Sequence, residues 1–321
     1  MKSLADIANA APIKGKRPTA KSSSNFMLNV TAIRINGIIL TGIANSFQFI
    51  VCLIHGWKYK LSMKYTQQKM KTIFVVGTAG AGKSLLTSRI FDHYTSNGAF
   101  AGILNLDPGV ENLPYTCDVD VRDYIDIVSI MRQYDLGPNG SLIMANDLIA
   151  SKIDELQHDV DNVNPDYLIV DTPGQIELFA YRTSGPFFIQ NFISEQKVSL
   201  FLYDGVMVTT PTNFVSIALL ATSIRLRLNL PHINVITKVD LIEDKIKEIL
   251  RWSADLKSLE DSIAKQSDGE NYTLTTNILR SLNIGGFSQG LIPISNATSE
   301  GMVNLEAVLS RILNLGEEVE D

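Results

Sequence analysis

The octapeptide Gly77-Thr78-Ala79-Gly80-Ala81-Gly82-Lys83-Ser84 carries the most specific chemistry in this 321-residue chain. It fits G-x-x-x-x-G-K-[ST], with the β-branched run Ile73-Phe74-Val75-Val76 before it and the helix-period residues Leu85, Leu86, Ile90 and Phe91 after it. Glycines let the backbone curl without Cβ clashes, so successive N–H groups can point inward at phosphate oxygens. The helix that starts there adds the positive end of its dipole. Gly80, Ala81, Gly82, Lys83, Ser84 and Leu85 are therefore the candidate phosphate cradle. In such a loop the lysine reaches the β- and γ-phosphates and the serine hydroxyl ligates Mg²⁺. A nucleoside triphosphate site is the implied chemistry.

Further candidates follow other apolar runs. Asp171 ends Tyr167-Leu168-Ile169-Val170, a position from which a carboxylate faces Mg²⁺ directly or through water, so Ser84 and Asp171 are the expected metal ligands. Gly174, in Asp171-Thr172-Pro173-Gly174-Gln175, offers a backbone N–H that can sense the γ-phosphate. Gln175 is placed to orient an attacking water. Asp107, in Asn105-Leu106-Asp107-Pro108-Gly109, reads either as a turn residue or as a carboxylate near the γ-phosphate, acting through Mg²⁺ or on water. Thr237-Lys238-Val239-Asp240 is the candidate base-reading loop. A carboxylate at Asp240 would pair with guanine N1–H and its exocyclic amine, a donor pair that adenine lacks, while Lys238 lies over the rings. Asn is the commoner first residue of such a loop. Thr237 removes one side-chain amide but leaves the carboxylate that separates the two purines. Ser295-Asn296-Ala297 would add a backbone N–H, at Ala297, to guanine O6.

The elements that must position these residues alternate. Strand-like runs fall at 72–77, 101–106, 167–171, 198–204, 232–237 and 291–294. Helix-period stretches lie at 84–96, 120–133, 142–159, 212–228, 242–266, 274–283 and 302–314. Such alternation predicts an α/β fold of three layers, α/β/α, with a mostly parallel central sheet and inserted helices. Ligands bind beyond the carboxyl ends of the strands in these folds, and the candidate residues all follow strand-like runs.

Composition divides the chain. Residues 1–69 hold ten Lys/Arg against one acid, a balance of +9, so the net charge of −6 leaves −15 for residues 70–321. An acidic body argues against nucleic acid as a direct partner. Two cysteines, Cys52 and Cys117, make no disulfide framework, and a reducing, cytoplasmic setting is expected. The uncharged run from Ile35 to Trp57 is about long enough to span a bilayer, but Asn36, Asn45, Ser46, Gln48 and His55 dilute it. Three readings of residues 1–69 stand: a membrane anchor, an amphipathic or disordered extension, and an over-long gene start upstream of Met70. The expected organisation is this extension, a nucleotide domain over 70–315, and an acidic tail over 316–321.

Leu136-Gly137-Pro138-Asn139-Gly140, taken bare, is an ordinary turn. In one chain with the P-loop, Asn-Leu-Asp-Pro, Asp-Thr-Pro-Gly-Gln-Ile-Glu and Thr-Lys-x-Asp, in that order, it resembles the GPN-loop GTPases. The likeness covers residues 70–315. It implies a constitutive homodimer or paralogue heterodimer that binds GTP with Mg²⁺ and hydrolyses it slowly to GDP. It further implies that Asn139, in the loop Gly137-Pro138-Asn139, reaches into the partner's phosphate site. Asp107 and Gln175 match the family's residues around the attacking water, with Glu177 beside them. Eukaryotic members assist assembly and import of RNA polymerase II, which makes a client protein complex the expected partner. The short C-terminal end is nearer the archaeal form. Leu85 in place of a frequent Thr and Gly109 in place of a common Ala are departures that remove no ligand. A GTP-stabilised scaffold without hydrolysis and a membrane-anchored NTPase are the alternatives.

Overall fold

The structure is a computed structural model that describes residues 30–35, 38–43, 70–266, 270–284 and 290–314. The chain divides into two units, Met1–Met63 and Lys64–Asp321. In the first, β1 (Val30–Ile35) and β2 (Ile38–Ile43) pair antiparallel. The rest of the uncharged run expected to be long enough for a bilayer lies outside the described residues. No helix among the described residues is long and apolar enough to cross a membrane.

The second unit is built on a seven-stranded parallel sheet in the order β5-β4-β6-β3-β7-β8-β9. Its strands are β3 (Lys71–Gly77), β4 (Ala101–Asn105), β5 (Val119–Asp120), β6 (Tyr167–Asp171), β7 (Gln196–Asp204), β8 (His232–Thr237) and β9 (Leu291–Pro293). The helices are α1 (Lys83–Ser96), α2 (Ile127–Tyr134), α3 (Pro138–Ile149), α4 (Ile153–Val163), α5 (Ile176–Ala180) and α6 (Ser184–Asn191). They continue with α7 (Pro211–Leu228), α8 (Ile246–Ala254), α9 (Leu256–Gln266), α10 (Glu270–Ile284) and α11 (Met302–Leu313).

Strand periodicity sorts the core into two halves. Ile73, Val75, Ile169, Leu200, Leu202 and Val235 face one side, where Leu86, Ile90 and Tyr94 of α1 and Leu305 and Leu309 of α11 meet them. Phe74, Val76, Val170, Phe201, Tyr203 and Ile236 face the other, under residues of α2 to α10. Both faces of the sheet are thus covered, which is why the strands read as continuous apolar runs and why the expected three-layer fold is the one observed. The first strand of this sheet along the chain, β3, sits between β6 and β7, so chain connections diverge on its two sides. That position is the switch point where α/β sheets open a crevice at the strand ends.

Four expectations on elements need correction. Residues 120–133 are not one helix: Asp120 belongs to β5 and caps a 3₁₀ turn, and α2 starts only at Ile127, where the Asp126 carboxylate accepts from the Val128 N–H at 2.9 Å. The helix expected from 142 begins four residues earlier, at Pro138, and breaks into a 3₁₀ turn at Ala150–Lys152 before α4. The stretch 242–266 splits at Asp255, whose side chain accepts from the Lys257 N–H. Helices α5 and α6 stand where no periodic segment was expected.

Candidate functional site

At the end of β3 the chain turns through Gly80 (φ +78°) and Gly82 (φ +89°) before Lys83 opens α1. Both values lie in the left-handed region that glycine adopts at no steric cost. The Lys83 ammonium is buried and donates to three main-chain carbonyls: Gly77 at 3.0 Å, Thr78 at 3.0 Å and Gly174 at 2.9 Å. The first ends β3, the second opens the loop after it, and the third belongs to the loop after β6. One side chain therefore joins the phosphate cradle to the segment expected to sense a γ-phosphate. Burial lowers the Lys83 pKa, against the nearby carboxylates of Asp171, Asp107 and Glu177, which raise it.

Asp171, at the end of β6, is buried. Its Oδ2 accepts from the Tyr115 hydroxyl at 2.7 Å, and its Oδ1 is buried without a hydrogen-bond partner among the described residues. Burial pushes its pKa up to about 6; the Ser84 and Tyr115 hydroxyls and the Lys83 ammonium act in the opposite direction, and Asp107 raises it further. A buried carboxylate oxygen without a hydrogen bond, with the Ser84 hydroxyl beside it, suits a hard cation, while the Lys83 ammonium nearby works against one. Among the described residues no group of three or more His, Cys, Asp or Glu side chains forms a metal cage. Mg²⁺ needs none, because it is commonly held by one or two protein oxygens together with substrate phosphates and water.

Asp107 lies beside this cluster. Its Oδ2 accepts from the Gly174 N–H at 2.8 Å and its Oδ1 from the Gly109 N–H at 2.9 Å. Asn105 fixes the loop from below, its Oδ1 accepting from the Asp107 N–H and its Nδ2 donating to the Asp107 carbonyl and to Asp120. Gly174 is thus held at both polar atoms, its N–H by Asp107 and its C=O by Lys83. Gln175 and Glu177 are exposed at the start of α5.

The base-reading candidates converge on the same rim. Thr237, at the end of β8, donates its hydroxyl to the carbonyl of Ala81 at 2.8 Å. The Ser295 hydroxyl donates to Asp240 Oδ1 at 2.7 Å, so that carboxylate is oriented from the loop after β9. Lys238, in a left-handed conformation (φ +58°), donates to Asp204 Oδ2 at 2.6 Å. Asn296 donates its side-chain amide to the Gly82 carbonyl at 3.2 Å, and Arg89 of α1 donates to the Asn296 carbonyl at 2.9 Å. Ala297 is exposed beside it.

Gly137, Pro138 and Asn139 form the start of α3 rather than a turn between helices: Gly137 is the N-cap and Pro138 the first helical residue, where its missing N–H costs nothing. All three are exposed, and Asn139 makes no side-chain hydrogen bond among the described residues. The helix packs on the Asp107 loop, where a Cβ at Gly109 would stand 2.4 Å from Leu142 Cδ2. Gly109 is the residue that lets α3 come this close.

The strand-end residues named from sequence gather at one rim, and Asn139 stands apart from their hydrogen-bonded network. Sequence reasoning missed Tyr115, Asn105, Arg89 and the side chain of Asn296. Tyr115 and Arg89 lie in no recognisable motif, and Asn105 and Asn296 sit within motifs read for their neighbours.

A family profile described as a conserved hypothetical ATP binding protein matches residues 75–315. GPN-loop GTPase 3 of Eremothecium gossypii is 33% identical over 251 residues, covering 76% of this chain and 92% of that protein. GPN-loop GTPase 1 of Dictyostelium discoideum is 34% identical over 215 residues, and this chain spans about half of its length, 52%. Among solved structures, a GTPase in apo form from Pyrococcus abyssi superposes with a TM-score of 0.67 at 27% identity, covering 77% of this chain and 98% of that one. With one relative matched over nearly its whole length, and with the loops after β3, β4, β6 and β8 and the start of α3 carrying the motifs in register, this chain belongs to the GPN-loop GTPase family.

Proposed function

We propose that the protein binds GTP with Mg²⁺ and hydrolyses it slowly, on the order of one turnover per minute, as a dimer that acts as a switch or assembly factor for protein complexes. The observation that carries the reading is the Lys83 ammonium, which links the cradle carbonyls of Gly77 and Thr78 to the carbonyl of Gly174. A phosphate arriving at Lys83 competes with Gly174 for the same three donors, so occupancy of the cradle reaches the next loop directly. Its γ-phosphate oxygens would then take the Gly174 N–H from Asp107, leaving the Asp107 carboxylate to orient water or accept its proton, with Gln175, the residue after Gly174, as the second group proposed to orient that water. Ser84 and Asp171 would hold Mg²⁺, which neutralises charge on the β- and γ-phosphate oxygens. Asp240 would select guanine, with Lys238 and Thr237 shaping that pocket and the Ala297 N–H on O6.

Loose phosphoryl-transfer transition states gain from each donor aimed at the γ-phosphate. Asn139 in trans, from a homodimer or a paralogue heterodimer, would supply one such donor. A neutral amide stabilises that charge less than an arginine would, which agrees with slow turnover. The proposed setting is cytoplasmic and the proposed client a multisubunit complex such as RNA polymerase. The test is GTP turnover by the purified protein with and without Mg²⁺, together with its mass in solution by light scattering. Turnover that needs Mg²⁺ in a dimer supports the proposal; tight GTP binding with no turnover would leave a nucleotide-stabilised scaffold in its place.

A further inference from the structure

Thr237 stands where loops of this type more often carry an asparagine, so one side-chain amide is missing from the base-reading loop. The structure assigns that amide to Asn296: we propose that the Asn296 side chain is a positioning residue that ties the phosphate cradle to the base-reading rim and thereby sets affinity for guanine nucleotides. This inference rests on the guanine-nucleotide reading above.

Three observations carry it. First, the ties are divided between two loops. The Thr237 hydroxyl holds the Ala81 carbonyl at 2.8 Å, and the Asn296 amide holds the carbonyl of the next residue, Gly82, at 3.2 Å. Two successive carbonyls of the cradle are thereby fixed, one from the end of β8 and one from the loop after β9. Second, Asn296 is itself locked. Its main-chain carbonyl accepts from Arg89 at 2.9 Å, and Arg89 belongs to the helix that the cradle caps. Its neighbour Ser295 donates to Asp240 at 2.7 Å, so the same loop orients the base-reading carboxylate. Movement of the cradle at Gly82 is thus passed to Asp240 through adjacent residues.

Third, Asn296 as a residue is 6% exposed, and its Oδ1 is buried with no hydrogen-bond partner among the described residues. Leaving such an acceptor unpaired is destabilising, and a small apolar residue would avoid it. The amide also approaches so closely that a Cβ at Gly82 would lie 3.0 Å from Asn296 Nδ2. Gly82 therefore serves twice: it supplies the left-handed turn, and it leaves room for the amide.

The experiment measures affinity for GDP and for inorganic pyrophosphate, by titration calorimetry, in the full chain and in Asn296→Ala. Melting temperature is recorded alongside. The Thr237 tie to Ala81 and the Lys83 bonds to Gly77 and Thr78 remain in the variant and keep the cradle in shape, so pyrophosphate affinity is expected to stay within about twofold while GDP affinity falls about tenfold. Thr237→Asn in the Asn296→Ala background is expected to recover most of that loss, because it returns an amide to the same corner. Unchanged GDP affinity in Asn296→Ala would overturn the inference. So would a parallel fall for GDP and pyrophosphate with a lowered melting temperature, which would mark a structural asparagine only. If the double variant fails to fold, the GDP-to-pyrophosphate comparison in the single variant still decides. A wild-type chain that binds no GDP would instead remove the guanine-nucleotide reading itself.

Discussion

The phosphate rim and the start of α3 hold residues of the same proposed reaction in opposite ways. Around the cradle, Lys83, Asp107, Asp171 and Gly174 are buried or half-buried and hydrogen-bonded to one another or to neighbouring loops. At α3, Gly137, Pro138 and Asn139 are exposed, and Asn139 has no side-chain partner among the described residues. Groups that act on a ligand within their own chain are already arranged around the place it will occupy. A group meant for another chain has nothing to be arranged around. If, as proposed, two molecules complete the site, one would give the cradle and the other an amide carried on the first turn of a helix.

The largest test of this contrast is Lys83→Ala. Removing an ammonium that serves several charge-assisted bonds should lower GTP affinity by about a thousandfold, measured by calorimetry. Retained affinity would show that the buried network is scaffolding. Asn139→Ala should leave GTP affinity within about twofold and slow single-turnover hydrolysis on the order of a hundredfold, the usual loss for one donor to a transition state. A fall in affinity instead, with turnover intact, would place Asn139 in ground-state binding and break the contrast. Asp240→Asn, still on the rim but away from the phosphates, should lower the ratio of GTP to ATP affinity by about tenfold without altering dimer mass. The smallest effect is expected where the two regions touch. Gly109→Ala would push a Cβ against Leu142 of α3, and because Leu142 Cδ2 is the mobile end of its side chain the loss of stability should stay within about 1 kcal/mol, a fall in melting temperature of roughly 2–4 °C. A much larger loss would mean that α3 and the Asp107 loop are rigidly coupled.

The six longer strands of the seven-stranded parallel sheet were legible because each is a continuous apolar run, the pattern of a strand in a covered sheet. β5 was not, since its two residues pair with β4 through register alone and carry no period of their own. Taken bare, the start of α3 reads as a turn because Pro, Asn and Gly are turn formers, yet a proline at the first helical position is equally at home. α5 has five residues and α6 carries Pro186 inside it, so neither shows a full amphipathic repeat. The site was more legible than the fold around it. Glycine-rich and Asp-containing loops announce themselves by composition, while Tyr115, 56 residues from Asp171 along the chain, has no mark that it will meet that carboxylate.

The sequence by itself determined that the candidate triphosphate cradle, the candidate metal-binding carboxylate Asp171 and the candidate base-reading loop all follow strand-like runs, and so should share one rim of a parallel sheet. That much depends on local windows: the period of apolar residues and the turn chemistry at their ends. Only the tertiary structure decided who touches whom at that rim. Lys83 meets Gly174 across 91 positions, and the Asn296 amide meets Gly82 across 214. Such pairs depend on strand order and on the closeness of approach that glycines permit, and neither is written in any stretch of chain short enough to read as a pattern.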